Sequence, residues 1–132
     1  MKIRIKEYWN KLKAEYKNKY KENIFKNYEQ TVPVFEEFRN FLNELLNKYP
    51  TNVDIICILA SVELELGYQE TAIKLLEDFI LKYKDVINDI DKARIYTNLG
   101  FYHEFGEKQG EYLLEAEKLN SPFVETYKGL AL

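Results

Sequence analysis

Leu59-Ala-Ser-Val-Glu-Leu-Glu-Leu-Gly67 is the stretch on which the fold turns. A leucine followed by a small residue opens it, about a turn and a half of helix follows, and a glycine ends it. The helix holding this stretch reads from Asn52 to Leu66 and is apolar on more than one side: Val53, Ile56, Leu59, Ala60, Val62 and Leu66, with Ile55, Ile58 and Leu64. Such breadth is expected of a central helix buried between neighbours. Pro50 stops the segment before it. Thr51, with Asp54 three places on, has nearly the form of a capping box.

The same period continues in both directions. Upstream, Thr31 and Pro33 mark a helix start, and Phe35, Phe38, Phe41, Leu42, Leu45, Leu46 and Tyr49 form one face. Downstream, Gln69 to Lys84 carries Ala72, Leu75, Leu76, Phe79, Ile80 and Tyr83 on one face. After a connector from Asp85 to Asp89, helices are expected at Ile90–Phe105 and Lys108–Leu119. Ser121-Pro122 then opens a last helix that ends near Lys128. Connectors this short make neighbouring helices run antiparallel. The expected class is therefore all-α, about seven helices arranged as stacked antiparallel hairpins in a single domain over residues 1–132.

Residues 1–30 stand apart as a basic aromatic segment ahead of the hairpins at 34–130. Their apolar positions, among them Ile5, Tyr8, Trp9, Leu12, Tyr16, Tyr20, Ile24, Phe25 and Tyr28, recur every three or four residues. A strict spacing of four drifts about 40° per step against a 3.6-residue turn, so the stripe winds around a straight helix. Continuity of this helix near Asn18–Asn23 is left open by the pattern.

Charge is unevenly placed. Residues 1–30 hold nine Lys or Arg against four Glu, a net of +5, while residues 31–132 hold ten against eighteen, a net of −8. An acidic body argues against a general nucleic-acid role and suits a basic partner. The simpler reading of the basic head is the solvated side of a helix. The longest apolar run, Ile55 to Ala60, is far short of a membrane span. No signal peptide is expected at the start. Lone Cys57 excludes an internal disulfide and a thiolate cluster, and a cytoplasmic, reducing setting is expected.

Chemistry is sparse. No Gly-rich phosphate loop, zinc spacing or nucleophile elbow occurs. His103 and Glu104 are adjacent on a helix and do not face each other, so His103 reads as a half-buried packing residue. Cys57 reads as a small core residue. Glu63, Glu70, Glu77 and Glu107 are the acids that folding could pair; the plain reading of Glu63 is a salt bridge or a solvent-facing edge. No cofactor, metal or catalytic residue is expected.

The segment Leu99-Gly-Phe-Tyr-His-Glu-Phe-Gly106 repeats the first stretch at an offset of 40 residues, or 39 at the glycine. Together the two resemble the tetratricopeptide repeat. Leu59-Ala60, Leu66-Gly67 and Ala72 match one copy; Leu99-Gly100, Tyr96 and Ala116 match a second. Pro50 and Pro122 stand where that family closes a repeat. Phe79 and Ile56 depart from its pattern, and the period exceeds its usual length because the Lys84–Asp91 connector is long. A helical bundle without true repeats stays open as the alternative. The resemblance implies that the first helix of each pair lines an inner surface. Its matching positions are Asp54, Ser61 and Glu65, then Arg94, Thr97, Phe101 and Glu104. The function so implied is a protein–protein interaction module, with an inhibitor or immunity-type protein for a basic partner as its sharper form. An enzyme or enzyme regulator using carboxylates on a helical scaffold, and a self-associating structural protein forming a homodimer, are the alternatives.

Overall fold

The computed structural model describes residues 4–20, 28–103 and 106–131. Helices α1 (Ile5–Tyr20), α2 (Tyr28–Lys48), α3 (Val53–Glu65), α4 (Gln69–Tyr83), α5 (Asp89–Tyr102), α6 (Glu107–Lys118) and α7 (Val124–Ala131) account for almost all of them. Among the described residues there is no strand. Helix α1 runs unbroken through Asn18 to Tyr20, and the continuity left open beyond it falls on residues 21–27, outside the described residues.

Local chemistry moves several boundaries from their expected places. The cap of α3 is Asn52 rather than Thr51: its side chain accepts from the Ile55 N–H at 3.0 Å, and asparagine is among the strongest caps. Helix α2 begins at Tyr28, ahead of Thr31, and contains Pro33. Lying beyond the first turn, Pro33 has no N–H to donate to the Glu29 carbonyl and crowds it with its ring. Asn88 caps α5 by accepting from the Asp91 N–H at 2.8 Å. At the other end α5 closes at Tyr102 with His103 as its C-cap. The Ser121 hydroxyl accepts from the Phe123 N–H, and α7 starts two residues beyond Pro122.

Each helix packs on the next in sequence, and alternate helices meet as well, α3 with α5 and α5 with α7. The result is a stack of helical hairpins. Helix α3 is its centre. Val53, Ile55, Ile56, Cys57, Leu59, Ala60, Val62 and Glu63 are all buried there, as its broad apolar girth foretold. Burying each large aliphatic side chain contributes about 1.5–3 kcal/mol. The core continues through Val34, Phe38 and Leu42 of α2, Leu76 and Phe79 of α4, and Ile95 and Leu99 of α5.

Two close approaches hold the far end. Leu113 of α6 is seated between Gly100 of α5 and Gly129 of α7, where an added Cβ would fall 2.8 Å from Leu113 Cγ and 2.5 Å from Leu113 Cδ1 respectively. Beside it, the buried Thr126 hydroxyl lies 2.6 Å from that of Thr97 and 2.8 Å from that of Ser121. The near end is built differently. Among the described residues the backbone of α1 approaches only α2, and an aromatic cluster makes the joint. Tyr8 stacks on Phe41 at 3.7 Å between ring centres, and Trp9 lies 4.8 Å from Phe38 and 5.2 Å from Phe35.

Candidate functional site

Since α1 does not close onto α3, a groove is left between them. It has a volume of about 650 Å³, within the usual range for binding clefts. Its apolar lining is Ile5 and Trp9 of α1, Phe35 and Phe38 of α2, and Ile58 and Val62 of α3. The winding of the α1 stripe explains how one helix serves both surfaces. Tyr8, Leu12 and Tyr16 turn toward α2, with Leu12 buried and the Tyr16 hydroxyl donating to Glu37 at 2.9 Å. Ile5 and Trp9, offset by about three residues, come round to the groove.

Polar residues form the rim. Asp54, Ser61 and Glu65 rise from α3, and Lys6 rises from α1. Asp54 holds Arg94 of α5 at 2.5 Å, an ion pair that joins α3 to α5. The Asp54 side chain nonetheless keeps 69% of its exposure. Ser61 donates to the Cys57 carbonyl at 3.1 Å, which leaves its oxygen free to accept from the Tyr102 hydroxyl at 3.2 Å. Burial raises the Tyr102 pKa, so the phenol keeps its proton for that bond. Glu65 and Lys6 are exposed and make no ion pair among the described residues.

The residues proposed for an inner surface therefore divide. Asp54, Ser61 and Glu65 share the groove rim, and Arg94 reaches it through Asp54. Phe101 is 37% exposed but lies toward α7, where its ring comes 3.2 Å from a Cβ built on Gly129. Thr97 is a correction. It is 4% exposed, donates to the Ala93 carbonyl at 2.8 Å and joins Thr126, so it offers nothing to a partner. The physical reason is α7, which covers that turn of α5. Glu104 lies outside the described residues. The sequence reading missed Lys6, Trp9, Phe35 and Phe38 as groove residues. The aromatic types of Trp9, Phe35 and Phe38 signal burial without saying whether a neighbouring helix or a cleft receives them, and Lys6 reads as the solvated side of a helix.

Two further polar sites deserve placing. Glu63, open to either a salt bridge or a solvent-facing edge, is 5% exposed and pairs with Arg39 of α2 at 3.4 Å. Between α4, α5 and α6, Tyr112 stacks on His103 at 5.4 Å and donates its hydroxyl to Glu77. The His103 Nε2 lies 3.7 Å from the same carboxylate oxygen, beyond hydrogen-bond reach. An enzyme built on carboxylates needs buried, unpaired acids converging on one cleft. In this fold the buried Glu63 is ion-paired, while Asp54 and Glu65 are exposed. Among the described residues no group of three or more His, Cys, Asp or Glu is placed to hold a metal ion, and no helix is long and apolar enough to cross a membrane. In comparisons with protein-family models, curated proteins and solved structures, nothing matches the chain.

Proposed function

We propose that the chain is a protein-binding module of helical-repeat type, working in the cytoplasm, with the groove between α1 and α3 as its seat for a partner. The observation that carries this reading is the groove itself: a cleft floored by aromatic and aliphatic side chains and rimmed by charges. Apolar floors with polar rims are the usual anatomy of protein interfaces, and the buried anchors rather than the rim supply most of their energy. The hairpin stack and the recurrence of Leu-small and Gly at Leu59, Gly67, Leu99 and Gly106 support kinship in form with tetratricopeptide repeats. The acidic body, net −8 over residues 31–132, favours a basic partner and is the support for an inhibitor-type role.

Affinity capture from the native cell tests the reading, with the wild-type chain beside Ile58→Arg. Ile58 is only partly buried, so the arginine charge can reach solvent while its bulk obstructs the groove. Wild type should retain a specific protein that the variant loses by about tenfold or more, as expected when an interface anchor worth over 1.4 kcal/mol is removed. Equal recovery by both proteins, with the variant folded by circular dichroism, would reject the groove as the seat. Recovery of no protein by the wild type would reject the module.

A further inference from the structure

The groove is sided. Its α3 wall carries two carboxylates, Asp54 and Glu65, at either end of an apolar stretch, and its α1 wall carries the ammonium of Lys6. Glu65 and Lys6 are without an ion-pair partner among the described residues, so their charge is available to an occupant. The length is also defined. Eleven residues separate Asp54 from Glu65, about 16 Å of helix, or three turns. Along that length α3 presents Asp54, Ile58, Ser61, Val62 and Glu65, the i, i+4, i+7, i+8 and i+11 positions of one helix face, and α2 presents Phe35 and Phe38 beneath. Side chains spaced this way interdigitate best with another set of the same period, which is the surface of a helix.

We infer that the groove receives an amphipathic helix of a partner protein, with large apolar side chains on its inner face, Lys or Arg on the flank that meets Asp54 and Glu65, and an acidic residue on the flank that meets Lys6. This rests on the protein-binding reading and deepens it by naming the partner's chemistry. Apolar side chains at i, i+3 or i+4, and i+7 cover the three turns of floor. The sided rim fixes which way the helix runs, because reversing its direction exchanges the two flanks. Asp54 can share its charge between Arg94 and an incoming base, whereas Glu65 has only the incoming base to meet.

The chain contains one tryptophan, and Trp9 lines the groove, so binding can be read directly from its fluorescence. The full chain is titrated at low salt with tryptophan-free synthetic amphipathic peptides of about fifteen residues. One has a lysine flank and a glutamate flank; the second has glutamate on both flanks; the third is the first with its apolar positions scrambled. The mixed-flank peptide should bind about fivefold more tightly than the all-glutamate one, the size expected from one or two exposed ion pairs. The scrambled peptide should not saturate. Glu65→Lys should erase or invert the preference, since the substituted side chain is exposed and leaves the floor untouched. Equal affinity for the first two peptides, or a preference unmoved in Glu65→Lys, overturns the inference while leaving the capture experiment free to succeed. Two other outcomes also overturn it. A Trp9 shift that grows with protein concentration alone, matched by dimer mass in light scattering, would make a second copy the occupant. A saturable shift with vesicles of anionic phospholipid, and none with peptide, would make it a membrane surface.

Discussion

Single residues show how environment overrides type. Glu63 and Glu65 sit two places apart on α3, yet one is buried against Arg39 and the other is open at the groove rim. Helical geometry decides this: two residues along a helix turn about 200°, so the pair occupies opposite faces. A salt bridge was one of two readings the sequence left open for Glu63, but its burial and its partner were not legible, because Arg39 belongs to another helix. Cys57 was legible as core, and burial pushes its thiol from 9.0 up to about 11. Tyr112 was not legible as anything beyond an apolar position. Its phenol pKa is raised, first by burial and then by the hydrogen bond and charge of Glu77. The sign of the consequence follows. Unfolded, this phenol releases its proton near 10.0; folded, it holds on longer. The stability it contributes is therefore complete below that value and is lost as pH rises above it. Tyr112→Phe should be less stable than wild type by about 1 kcal/mol near pH 8, the ordinary worth of such a bond. The gap should close as pH climbs beyond about 10. Urea unfolding across that range measures it, and a constant gap would contradict the assignment.

At the scale of elements, periodicity located the helices from α2 to α6, because apolar spacing records which face is buried, and the Ser121-Pro122 start signal located α7. Ends were less legible. Thr51 and Asn52 are both good caps, and only the folded register selects Asn52. Helix-to-helix distance was legible only as the presence of small residues. Gly100 and Gly110 look alike in sequence, one in α5 and one in α6, and the structure separates them. A Cβ on Gly110 meets nothing within 4 Å. On Gly100 it would stand 2.8 Å from Leu113 Cγ and 3.1 Å from the Gln109 carbonyl oxygen. Alanine brings either helix up to about 1 kcal/mol of intrinsic preference. At Gly100 the overpacking penalty of about 1–3 kcal/mol exceeds that gain, since Leu113 is 1% exposed and has nowhere to go. Gly110→Ala should thus raise the melting temperature and Gly100→Ala lower it. Calorimetry of the two variants would detect a shared sign as readily as the opposed signs expected here.

For the whole molecule, the sequence conveyed the class and the series of hairpins, while the groove was invisible in it. A groove is a distance between two elements, and amphipathic patterning encodes which faces are apolar without encoding how far apart they come to rest. The basic aromatic segment looked like an appendage; folded, it supplies one wall of the candidate site. That wall is also the most weakly integrated part of the stack, since among the described residues the backbone of α1 approaches only α2, whereas α3 and α5 are each gripped from several sides. Cooperative units detach in the order of the contacts that hold them. Amide exchange should therefore find α1 opening on its own, well before the α3–α5 body yields. Opening would swing Ile5, Lys6 and Trp9 away from Ile58 and Val62, so the cleft exists only while α1 is docked. A ligand that touches both walls would then draw on folding free energy: it would slow exchange in α1 far more than in α3, and its affinity would fall with any substitution that loosens Tyr8 from Phe41, a stacked pair that does not line the groove.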